Sequence, residues 1–197
     1  MTALEQQLNF IIELDKLKSI YRQALIKSDH NRFENSAEHS WHAAMLAPIL
    51  QQYAIAEINI SRVMTMLLIH DIVEIDAGDM FAFADNNALL VQTEKEMAAA
   101  KRIFGLLPES QASSFMQLWS EFELAQTLDA KFANAMDCLL PLLQNMNNSG
   151  GSWARHTVTK SQVLKRNQHL EHLAPKLWQY VNTQVTVALQ KGWLIDD

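Results

Sequence analysis

Chain-breaking residues are scarce: 197 residues carry 5 glycines and 4 prolines. Glycine frees the backbone and proline removes a helical hydrogen bond, so a chain with few of either can run long helices. Apolar residues recur at helical spacing, as in Leu4, Leu8, Ile11, Ile12 and Leu17. Hydrophobic residues make up 49% of the sequence, enough for a real core at this length. Together these features predict an all-α chain, a compact helical bundle folded as a single domain over residues 1–197.

The spacing predicts a first helix over residues 4–21, then a polar loop over 26–36. A second helix starts at the N-cap candidates Asn35 or Ser36 and runs to about residue 54, with Pro48 kinking or splitting it. Ser61 caps a third helix over 62–75, which Gly78 ends. Three more follow over 94–107, 109–126 and 129–146, then a turn through "NNSGGS". The last runs over 159–190 with a break near Pro175.

The net charge of −6 leaves no broad basic face, so nucleic acid is not expected as a partner. No apolar run reaches membrane-spanning length, and "MTALEQQLNF" lacks the basic-then-apolar order of a secretory signal. Cys138 is the single cysteine and excludes an internal disulfide. These features together lead us to expect a cytoplasmic protein without a membrane partner.

The chemistry concentrates in "LLIHDIVEIDAGD", which starts as a core helix and ends with His70, Asp71, Glu74, Asp76 and Asp79. Neighbouring His70 and Asp71 point roughly 100° apart on a helix, yet can meet on one ion between them. Imidazole with carboxylate suits a borderline divalent cation such as Zn, Mn, Co, Ni or Fe. Further donors must come from elsewhere. His39 sits in "SAEHSW", and Asp137 interrupts the apolar run "FANAMDCLLPLL", where its charge needs a partner. A cation is one such partner; an arginine or a polar helix face is the other.

The order His39, His70-Asp71, Asp137 resembles the HD superfamily of metal-dependent phosphohydrolases. The stretches "ENSAEHSWHAAML", "LLIHDIVEIDAGD", "LWSEFELAQTLDAKFANAMDCLLPLL" and "GGSW" resemble its branch of bacterial 5′-deoxynucleotidases. The resemblance runs from about Leu17 to the final helix. It implies an HD-type helical fold with one divalent ion per chain (Mg joins the candidates) held by His39, His70, Asp71 and Asp137. Such an ion supplies an activated water and offsets phosphoryl charge.

The same resemblance implies that Glu74 is the catalytic acid/base, in helical register with His70 and Asp71. The alternative for Glu74 is a carboxylate that orients His70. Asp79, after Gly78, is expected at the sugar hydroxyl. Arg22 matches an arginine that lies near substrate phosphate in the relatives, but an aromatic closely follows it there, whereas Gln23, Ala24 and Leu25 follow here. Arg32 in "NRFEN" is a second phosphate candidate, and Lys131 a further contact or an ion-pair partner for Glu121 or Glu123.

The implied reaction is hydrolysis of a small phosphate ester, a (deoxy)nucleoside 5′-monophosphate or similar. Hydrolysis of a nucleoside triphosphate or (p)ppGpp is an alternative, ranked lower because so few cations accompany Arg22 and Arg32. A metal-stabilised, non-catalytic interaction module is another. Asp76, His42, His169 and His172 read as solvated, whereas Trp153 and His156 read as loop packing or a pocket roof. A homodimer is expected from the resemblance and from the apolar segment that includes Leu177, Trp178, Val181, Val185 and Trp193.

Overall fold

The computed structural model describes residues 1–83 and 86–197. Helix α1 (Ala3–Glu13) begins at a capping box in which Thr2 and Glu5 satisfy each other's backbone N–H. The helix expected to residue 21 stops early. A 3₁₀ segment, Leu14–Ser19, follows, and the chain then extends into β1 (Tyr21–Ile26). The expected polar loop holds β2 (Arg32–Asn35), antiparallel to β1. His30 and Asn31 turn the hairpin at φ 50° and 59°, a region that Asn and His tolerate better than most residues. Tyr21 pairs with Asn35 and Leu25 with Phe33, and the register slips between them. Arg22, Gln23 and Ala24 fall within that irregularity, where a bulge can re-aim side chains.

Helix α2 (Ser36–Leu50) starts at Asn35, whose side chain and Glu38 form a second capping box. Pro48 does not split it; the helix ends just beyond, in a 3₁₀ turn, Gln51–Tyr53. Helix α3 (Ile60–Ile69) is capped by Asn59 rather than Ser61. The single helix expected over 62–75 changes its winding at His70. Residues His70–Val73 form a 3₁₀ segment, followed by the short α4 (Glu74–Ala77). Gly78 ends α4 at φ 75°, where a side chain would be strained.

Three long helices come next: α5 (Asn86–Phe104), α6 (Glu109–Leu124) and α7 (Leu128–Asn147). Part of the expected turn winds into α8 (Gly151–His156). The C-terminal stretch is three helices, α9 (Lys160–Asn167), α10 (Leu170–Leu173) and α11 (Pro175–Gln190). Pro175 opens α11, where its missing N–H removes no helical bond, so the expected break falls in place. Beyond α11 the chain returns to α9: Lys160 N–H donates to Ile195 O at 2.9 Å and Ser161 Oγ to Asp197 Oδ2 at 2.5 Å.

Two apolar clusters hold the molecule together. The larger joins α2, α3, α7 and the C-terminal helices through Met66, Leu67, Phe132, Met136, Leu170 and Val181. The smaller joins α1, α5 and α6 through Phe10, Ile103, Phe104 and Trp119, and takes in Ile69, Ile72 and Val73. Met66, Leu67 and Phe132 are fully sealed, each worth about 1.5–3 kcal/mol. The 3₁₀ segment therefore sits where the chain passes from one cluster to the other. Leu177, Val181 and Val185 of α11 close the larger cluster, with Trp178 and Trp193 packed against it. Among the described residues no helix is long and apolar enough to cross a membrane.

Candidate metal centre

Three segments bring the polar groups together. Helix α2 supplies His39, the 3₁₀ segment His70 and Asp71, and the uninterrupted α7 Asp137. His39 Nε2 lies 2.8 Å from Asp137 Oδ1 and 4.0 Å from Asp71 Oδ2. His70 Nε2 lies 3.0 Å from Asp71 Oδ1 and 3.5 Å from Asp137 Oδ1. His39, His70 and Asp137 each offer one ligand atom, all within 4.8 Å of one another. Asp71 stands against both imidazoles but outside that mutual group, with its Oδ2 held by Arg22.

The donor set fits a divalent cation on the state of its atoms. His70 Nδ1 contacts Leu67 O at 2.8 Å, a bond it makes as a donor. That fixes the tautomer and turns the Nε2 lone pair towards the cluster. Nε2 is buried and makes no well-formed hydrogen bond. A cation would occupy that orphaned lone pair and offset the adjacent carboxylates.

Burial works against a charge on Asp137, but the hydrogen bond from His39 and the close imidazole of His70 outweigh it and hold the carboxyl well below its usual range. Burial also opposes protonation of His70, yet Asp71 and Asp137 raise it to about 9 in the metal-free site, so a bound cation would take the place of a proton on Nε2. Two buried imidazoles and two carboxylates that polarise one another so strongly form a site whose charge balance a metal ion would complete.

Glu74 follows on the same wall. With three residues per turn over His70–Val73, Asp71 and Glu74 fall in one row. The sequence spacing alone implied the wider α-helical face. Arg22 Nη1 meets both carboxylates, Asp71 Oδ2 at 2.6 Å and Glu74 Oε1 at 3.4 Å, and also Asp79 Oδ1 at 3.5 Å. Ser36 Oγ donates to Glu74 Oε2 at 2.5 Å. Burial first, and then the charge of Asp71, push the Glu74 carboxyl well above its ordinary range; Arg22 and Ser36 oppose them. Burial is also the main cause that raises Asp79. Desolvation disfavours the Arg22 charge, but the three carboxylates outweigh it and keep Arg22 cationic.

Around this wall lies a pocket of about 390 Å³, bordered by Arg22, Gln23, Asp71, Glu74, Asp79 and Asp137 and by aromatic residues including Phe81, Phe83 and Trp153. Phe81 stacks against His156 with ring centroids 4.5 Å apart, and His156 Nε2 lies 3.1 Å from Gln23 Oε1. The residue after Arg22 thus joins a wall built from α8. Trp153 is buried and borders the same space.

Not every candidate gathers here. Arg32 forms ion pairs with Asp29 and Glu38 on the outer face of the hairpin and does not border the pocket. Glu121 pairs with Arg62 and accepts from Thr127, not from Lys131. Asp76 pairs with Arg102, and His42, His169 and His172 are exposed.

Four further residues lie at the site without having been singled out for it. Glu34 on β2 is buried behind His39: its Oε1 accepts from Gln144 Nε2 at 2.6 Å, and its Oε2 lies 3.4 Å from His39 Nδ1 without a formed hydrogen bond. Only a strand reading of residues 32–35 would have turned Glu34 inward. Ser36, Arg166 and Asn167 had no local signal, because a helix-start serine and the basic stretch "LKRN" read as ordinary surface.

Known proteins resemble this chain. The human 5′-deoxynucleotidase HDDC2 is 29% identical over 70% of this chain, and the match spans 65% of the human protein's length. A 5′-deoxynucleotidase from Erwinia tasmaniensis is 27% identical, with 83% of this chain and 87% of that one covered. The crystal structure of a predicted metal-dependent phosphohydrolase from Magnetospirillum magnetotacticum superposes with a TM-score of 0.90 at 46% identity, covering 97% of this chain and 95% of that one. With the HD domain family model matching residues 14–178, the chain belongs to the HD-domain family.

Proposed function

We propose that this protein is a divalent-metal-dependent phosphomonoesterase acting on (deoxy)nucleoside 5′-monophosphates or similar small phosphate esters. The observation that carries the reading is the convergence of His39, His70 and Asp137 on one small volume, with Asp71 against both imidazoles and Glu74 beside it on the same pocket wall. The names of the deoxynucleotidase relatives support the substrate class.

The four ligands would hold one divalent ion, which supplies an acidified water and offsets charge on a phosphoryl oxygen when bound. Glu74 is the proton-transfer group. Ser36 holds its Oε2, and Oε1 remains on the Arg22 side of the carboxyl. In hydrolysis the water oxygen bonds to phosphorus and the ester P–O bond breaks. Glu74 relays a proton from the water to the departing oxygen. Asp79 beside Glu74 is placed to accept a hydrogen bond from the sugar, and Arg22 keeps the three carboxylates from repelling one another. The protein acts as a cytoplasmic homodimer in this reading.

The test is a phosphate-release screen of nucleotides and sugar phosphates with a panel of divalent metals, followed by Glu74→Gln on the best substrate. The variant keeps its metal and its KM while kcat falls about 10²–10⁴-fold. An unchanged kcat removes Glu74 from proton transfer. A wild type inert with every ester and metal favours a non-catalytic module.

A further inference from the structure

Arg22 shares its Nη1 among Asp71, Glu74 and Asp79, whose three carboxylates surround its side of the pocket. Another cation borders the same pocket. Arg166, on the last turn of α9, has its side chain 26% exposed, and its Nη2 lies 3.6 Å from Asp137 Oδ2. That is beyond hydrogen-bond length, and among the described residues its guanidinium makes no hydrogen bond. Like any arginine it is cationic. The guanidinium offers a planar fork of N–H donors beside a metal-ligating carboxylate, the geometry that suits a phosphate.

The next residue adds a second, independent mark of a ligand. Asn167 is 3% exposed and borders the pocket. Its Nδ2 donates to Val163 O at 3.0 Å, and its Oδ1 is buried without a partner. A buried amide oxygen left bare costs about 1–3 kcal/mol unless something donates to it. The α5 and α6 side of the pocket is acidic, with Glu96 and Glu123. A phosphate is therefore drawn towards α9 and away from those carboxylates.

We infer that Arg166 and Asn167 form a substrate anchor on α9: Arg166 donates to the non-bridging oxygens of a phosphate seated beside Asp137, and Asn167 Oδ1 accepts a hydrogen from an O–H or N–H on the organic part of the ester. The Asn167 half rests on the phosphoester reading above; the Arg166 half needs only a phosphate.

The test is calorimetric titration of inorganic phosphate, and separately of a non-hydrolysable phosphonate analogue of a deoxynucleoside 5′-monophosphate, into the metal-loaded protein. Metal per chain and helical content are checked for every variant. Arg166→Gln keeps its metal and binds phosphate about 10–100-fold more weakly, the effect of losing a charge-assisted hydrogen bond. Arg166→Lys falls between, since it keeps the charge but not the fork. Asn167→Leu binds phosphate like wild type and the analogue about 5–10-fold more weakly, the effect of one neutral hydrogen bond. Arg166→Gln that binds phosphate as tightly as wild type overturns the anchor. So does loss of metal in that variant, which makes Arg166 a support for Asp137. Failure of wild type to bind phosphate overturns it too. An analogue bound equally well by Asn167→Leu removes the Asn167 half. If phosphate binds wild type and Arg166→Gln weakens it, yet no ester is hydrolysed, the proposed reaction falls and the Arg166 contact stands.

Discussion

Arg22 and Arg32 sit on the two strands of one hairpin, and each faces more than one carboxylate. Arg22 meets Asp71, Glu74 and Asp79 inside the pocket; Arg32 meets Asp29 and Glu38 at the surface. The pairings look alike as diagrams and differ in surroundings. The Arg22 side chain is 13% exposed and that of Arg32 42%. Water screens and replaces a surface ion pair, so losing one partner matters little. In the pocket water cannot do this, and a charge without its partner is left stranded. The number of carboxylates around an arginine therefore says less about its importance than whether solvent can take its place.

Breaking the inner network gives the largest effect. Arg22→Gln in the metal-free protein lowers unfolding free energy by about 3–5 kcal/mol, measured by urea denaturation. A divalent ion recovers part of that loss, because it returns positive charge to Asp71. A stability equal to wild type in the metal-free state ends the distinction between the two arginines.

A smaller effect comes from the support behind the ligands. Glu34→Gln keeps the shape of the side chain facing His39 Nδ1 but removes its charge. Metal affinity falls about 10–100-fold, read from competition with a chelator. If affinity is unchanged, Glu34 does not orient His39. Smallest of all is Arg32→Ala, whose melting temperature and phosphate affinity stay within error of wild type. A rise in KM for this variant would place Arg32 at the substrate after all.

Helical spacing made most of the fold legible, since α3, α6 and α7 carry apolar stripes and α2, α3 and α7 start at capping side chains. The hairpin escaped because its strands are short, and β1, "YRQALI", contains residues that helices also accept. The change of winding at His70 left no mark either. It arises where Ile69, Ile72 and Val73 are drawn into a different cluster from Met66 and Leu67, a tertiary effect that local spacing does not encode. The positions His39, His70, Asp71 and Asp137 stood out because their order resembles a family pattern. Glu34, Arg166 and Asn167 did not, since each is an ordinary residue until the fold turns it inward.

The return of the chain to α9 has a practical side. Ile195 O and Asp197 hold the start of the helix whose last turn carries Arg166 and Asn167. The final three residues thus act as a clasp on one wall of the pocket, far along the sequence from any metal ligand. A substitution at Asp197 that loosens this clasp would reach the pocket wall with the four candidate ligands untouched.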